Sequence, residues 1–166
     1  MNPRFIRSRL TGTKISVVIA LANQVPDAFT HTISIELAVP AERAFAFMAD
    51  PSKLNRWSFG TWKTVLHEGG LVEGSAIFDG AVTWVRIEGD PARGVIDYHL
   101  GKDKTALTPR IMARIVPGDR LGLGANACLL TMLAWRVKGM ADERWQRLCA
   151  SHEFEVFLIK SLIEAG

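Results

Sequence analysis

Residues 33–57 read ISIELAVPAERAFAFMADPSKLNRW, and this stretch decides the fold. Ile33, Ile35, Leu37 and Val39 alternate with Ser34 and Glu36, the period of a half-buried strand over 32–39. Pro40 ends that strand. A helix is expected from about Ala41, with Ala44, Phe45, Phe47 and Met48 on its apolar face. Asp50 precedes Pro51, a position that disfavours helix. A second short helix is expected over 52–57, with Leu54 and Trp57 three residues apart.

Beyond Thr61 the apolar period switches to two. Strands are expected over 62–67, 75–78, 82–88, 95–100, 110–116 and 128–137. The breaks between them carry turn chemistry: Gly69-Gly70, Asp79-Gly80, the segment 89–94 and Pro117-Gly118-Asp119. Gly122 and Gly124 lack the strand-to-helix setting of a phosphate loop and read as a bend. Short strands at this spacing predict an antiparallel meander. The period then changes again. Asp142 is expected to cap a helix running to about Glu164. Trp145, Leu148, Cys149, His152, Val156, Ile159 and Ile163 fall on one stripe of it. A helix of about twenty residues is roughly 30 Å long. One apolar stripe of that length needs a broad sheet to cover it.

Length favours one domain, taken as 29–166, preceded by an extension over 1–28. Hydrophobic residues are 48% and charged residues 22%, which excludes a disordered chain. Arg4, Arg7, Arg9 and Lys14 against Asp27 account for the whole net charge of +3. The rest is balanced and shows no basic patch with interleaved aromatics, so no nucleic-acid partner is expected. The extension carries the apolar run Ile15–Ala22 with Ala20 and Ala22 in A-x-A spacing, the pattern of a signal peptide. The other reading is a loosely packed segment. A cytoplasmic protein is expected, with export as the alternative. The run is too short to span a bilayer, so no stable membrane insertion is expected. Cys128 and Cys149 sit in apolar surroundings and read as buried free thiols, with a disulfide as the alternative. No Cys/His ligand spacing, GxSxG, P-loop or HExxH motif is present, and neither a metal nor a cofactor is implied.

The element order is strand, two short helices, a run of strands and a long last helix. In this the chain resembles the START-like, or SRPBCC, superfamily. The residues that carry the likeness are the first strand, Pro40–Pro51 and Leu54-Asn-Arg-Trp57. The likeness implies an α+β helix-grip fold: a curved antiparallel sheet of about seven strands around the C-terminal helix, with a cavity between them. Members of that superfamily include polyketide cyclases, lipid carriers, quinone-binding proteins and co-chaperones. They share no single catalytic set, so function must come from the site.

On that frame, Trp57, Phe59 and Trp62 fall where the family places its cavity mouth. Ile111 and Ala113 share the inward face of their strand. Trp145, Cys149, His152 and Val156 share the cavity side of the last helix. These residues, with Tyr98, form the expected ligand-binding set. His152 reads either as a core histidine satisfied by the backbone or as a general acid or base. Tyr98 reads either as a core aromatic or as a hydroxyl that orients a ligand. Alternation puts Trp84 outside, with Arg86 and Glu88. Arg110 and Arg114 read as a solvated outer face, or else as a cationic pocket for an enolate or carboxylate. Phe154 and Phe157 lie off the apolar stripe and read either as a homodimer contact or as aromatics covered by the N-terminal extension or a nearby loop.

The expected function is binding of a small hydrophobic or aromatic ligand of lipid, polyketide or quinone class. A cyclase or dehydratase with His152 and Tyr98 as acid and base is the alternative. A protein-interaction module is the third reading, and it predicts a filled interior and a large exposed apolar patch at Phe154 and Phe157.

Overall fold

The computed structural model describes residues 28–166, so the expectations for 1–27 lie outside the described residues. Seven strands form one curved antiparallel sheet in the order β1-β7-β6-β5-β4-β3-β2. They are β1 Thr30–Leu37, β2 Lys63–Leu66, β3 Val72–Ser75, β4 Val82–Asp90, β5 Val95–Gly101, β6 Thr108–Pro117 and β7 Cys128–Trp135. Helix α1, Ala41–Met48, and a 3₁₀ helix, Pro51–Arg56, follow β1. The long helix α2, Asp142–Ala165, closes the chain and packs against β1 and β7. This is the helix-grip architecture.

Alternation decides which face is core. On β7, Cys128, Leu130, Met132 and Ala134 are buried while their neighbours are half-buried. Cys128, Leu130 and Met132 meet Leu37, Ile96, Ala113 and Ile115 from the other strands, and Val156, Ile159 and Ile163 from α2. Each of the buried Leu, Ile, Val and Met side chains among them contributes about 1.5–3 kcal/mol of transfer free energy. Both cysteines are buried and free. Trp84 packs on the His67 ring at 5.0 Å, and its neighbours Arg86 and Glu88 are exposed.

Asp50 is extended, as a pre-proline residue should be, and its Oδ1 accepts the Ser52 N–H at 2.9 Å. The turn between β4 and β5 is set by Gly94. Its φ is +65°, and a Cβ there would lie 2.3 Å from the Ile115 carbonyl oxygen.

Two sequence expectations need correction. The third strand occupies 72–75, not 75–78. Val72 pairs with both Leu66 and Val85 and is fully buried, which fixes the register. The apolar run after it leaves the sheet because the Ile77 N–H donates to the Phe59 carbonyl at 2.9 Å. Asp142 is not a cap. Ala141 holds that position without a side-chain bond, and the Asp142 carboxylate pairs with Arg136 instead.

The C-terminal half of α2 is clamped. Arg43 Nη2 donates to the Ile163 carbonyl at 2.8 Å, and Glu164 Oε1 accepts the Ala38 N–H at 2.6 Å. Both ties satisfy groups that a helix end or strand end leaves open. The N-terminal half is tied by the Asp142–Arg136 pair just beyond β7 and stands over a gap. No helix among the described residues is long and apolar enough to cross a membrane.

Candidate functional site

That gap is a cavity of about 140 Å³ between the sheet and the first half of α2. Val85, Tyr98, Leu100, Arg110 and Ile111 form the sheet side. Leu54, Trp57 and Thr61 close one end, and residues 76–81 form a rim. Helix α2 contributes Arg144, Arg147, Leu148, Ser151, His152 and Glu155. Gly74 permits the closure. A Cβ there would lie 2.5 Å from Thr61 Cγ2, so any larger residue would push the 59–61 segment off the sheet.

His152 is 2% exposed. Its Nδ1 has no hydrogen-bond partner among the described residues, and its ring lies 5.9 Å from that of His31. Burial, and then the neighbouring His31, push its pKa down to about 4. Glu155 is 3% exposed, and its Oε1 accepts the Phe59 N–H at 2.7 Å. Burial raises its pKa to about 7, against the lowering effect of that bond. The His152 Nε2 to Glu155 Oε2 separation is 3.9 Å. Between about pH 4 and 7 burial keeps both groups neutral, so this contact is not an ion pair over that range. A neutral imidazole beside a carboxyl that titrates near neutrality can accept or return a proton.

Tyr98 is different. Its hydroxyl is fully buried and donates to the Met48 carbonyl at 2.8 Å. Burial, then the charge of Glu155, raise its pKa far above the ordinary tyrosine value. Its ring meets Trp57 edge-on at 5.9 Å. The ring therefore lines the cavity while the hydroxyl serves the fold. Tyr98→Phe should lower unfolding free energy by about 1–3 kcal/mol, because the Met48 carbonyl loses its donor. Urea denaturation measures this. An unchanged midpoint would mean that the hydroxyl is not holding α1 to the sheet.

No family model and no curated protein matches the chain. Solved structures do match. A START superfamily protein from Mycobacterium smegmatis superposes with a TM-score of 0.59 at 16% identity, over 82% of this chain and 98% of that one. The Zhui aromatase/cyclase from a Streptomyces species gives 0.57 at 19% identity, over 82% and 91%. The Aha1 dimer from Colwellia psychrerythraea gives 0.58 at 10% identity, over 81% and 96%. The fold is START-like. At these identities the likeness concerns the fold alone.

The START-like frame brings Trp57, Tyr98, Ile111 and His152 of the expected set to the cavity wall. It places the others elsewhere. Phe59 is half-buried and stacks on Phe154 at 5.7 Å, and Trp62 is 41% exposed. Ala113 and Val156 lie in the main core. Trp145 and Cys149 pack with Ala134 and Met140 in a second small core. Phe154 and Phe157 are exposed, as their helix face implies. Sequence reading missed Glu155 and left Arg110 on the outside as its first reading. The available signal for Glu155 was its place three residues after His152 on a stripe otherwise apolar.

Proposed function

We propose that the protein binds a small hydrophobic or aromatic molecule, of lipid, polyketide or quinone class, between the sheet and α2. The observation that carries this reading is the cavity, walled by Leu54, Trp57, Val85, Leu100, Ile111 and Leu148. Apolar ligand surface buried there would contribute about 25 cal/mol per Å². The START protein and the aromatase/cyclase among the structural neighbours support a cavity-based role.

One observation favours acid–base chemistry as a second reading. Glu155, with a pKa of about 7, lines the cavity beside His152. In that reading Glu155 and His152 carry the proton, and Tyr98 does not, because its hydroxyl is already engaged.

The test of binding is fluorescence titration with N-phenyl-1-naphthylamine, a neutral aromatic probe. The wild type should bind one equivalent. Leu148→Trp, which fills the cavity from α2, should bind it at least about tenfold more weakly, a difference of about 1.4 kcal/mol. Equal binding by the variant would place the probe on the exposed aromatics and sink the cavity reading.

A further inference from the structure

Arg110 owes its position to an irregularity in the sheet. Tyr98 pairs with Ile111, but His99 pairs with Pro109, so Arg110 is the extra residue of a β-bulge. A bulge re-aims a side chain that simple alternation would send outward. Arg110 and Ile111 therefore both line the cavity. Among the described residues the Arg110 guanidinium makes no ion pair, and its buried Nε has no hydrogen-bond partner. Arg110 is half-buried, and a guanidinium with a buried, unpaired Nε and no counterion leaves an edge open to an anion. Arg144 lines the same cavity as a second cation, and burial followed by its charge lowers the Arg110 pKa.

The other charged groups on the wall do not cancel this excess. Arg147 lies over the Phe78 ring at 5.9 Å and reaches Glu143 at 3.6 Å. Asp79 is exposed on the rim, where its carboxylate accepts the Ala81 N–H at 3.0 Å. Glu155 carries its proton below about pH 7, and His152 is neutral above about pH 4.

We propose that Arg110, backed by Arg144, is an anion subsite that holds the carboxylate of a ligand whose apolar body fills the cavity. This deepens the ligand-binding reading and rests on it. The planar guanidinium offers an Nε/Nη edge that matches a carboxylate with two parallel hydrogen bonds.

Calorimetric titration at about pH 6, where naphthoate is ionised and Glu155 still holds its proton, tests it with two probes of one shape. They are 2-naphthoate and its neutral isostere 2-naphthamide. The wild type should bind naphthoate at least about tenfold more tightly. Arg110→Gln should bring the ratio close to one and leave naphthamide affinity within about twofold. Should Arg110→Gln not fold, Arg144→Gln should lower the ratio by about threefold. Equal binding of both probes by the wild type would overturn the anion subsite and leave the apolar cavity reading standing. A preference that survives in both variants would also overturn it. Binding of neither probe would remove the cavity reading, and the subsite with it.

Discussion

Trp57→Ala is expected to lower the unfolding free energy by about 3–5 kcal/mol. Trp57 is 3% exposed, stands three residues after the equally buried Leu54, and meets Tyr98 edge-on. Two losses add. The indole surface returns to water, and the wall of a cavity that is already open loses its largest panel. The surrounding backbone has little freedom to collapse, because the Glu155 carboxylate holds the Phe59 N–H and the Thr61 side chain is seated on Gly74. For a domain with about 5–15 kcal/mol of stability this is a large fraction. Urea denaturation checks it. With a slope of about 2 kcal/mol/M the midpoint should fall by about 1.5–2.5 M, and Trp57→Phe should recover most of it. A shift well under 1 M for the alanine variant, at unchanged slope, would show that this end of the cavity is not part of the cooperative core.

The second large effect is a pair of opposed pH dependences that the wild type hides. The Glu155 pKa rises from 4.5 in the unfolded chain to about 7 in the fold. Its contribution is fully present below 4.5 and is lost as pH rises through 7. The His152 pKa falls from 6.5 to about 4. Its contribution is present above 6.5 and is lost as pH falls through 4. Each amounts to about 3 kcal/mol across its window. Between about pH 4.5 and 6.5 the two slopes cancel, so these groups leave wild-type stability nearly level there. Removing one exposes the other. Glu155→Gln should gain about 3 kcal/mol from about pH 4 to 6.5, and His152→Leu should lose about as much from about pH 4.5 to 7. Urea midpoints across that range measure both. If Glu155→Gln kept the wild-type profile, the carboxyl would not be titrating near neutrality, and the acid–base reading would lose its proton carrier.

The same pair shows where sequence stops being informative. The strand from Ile33 to Val39, the stops at Pro40 and Pro51, and the stripe from Trp145 to Ile163 were legible because their causes are local. A side-chain period and a fixed proline φ need no distant partner. The meander was legible for the same reason, since turn residues mark their own positions. Where local signals were ambiguous, pairing decided. The apolar run 75–78 was compatible with a strand, but Val72 opposite Val85 took the buried register. Asp142 looked like a cap until Arg136, on the chain leaving β7, claimed its carboxylate.

Sequence by itself determined the fold class, the burial of both cysteines and the helix that carries His152. It also placed Trp57, Tyr98, Ile111 and His152 near one interior, through the resemblance to START-like proteins. Tertiary structure alone decided what their polar atoms do. The Tyr98 hydroxyl is taken by a carbonyl fifty residues away, the Glu155 pKa is pushed up to about 7 by burial, and Arg110 is turned inward by a bulge. Periodicity reports which face a side chain leaves from. Protonation state and hydrogen-bond partner depend on what the rest of the chain packs against that face, and no local pattern encodes it.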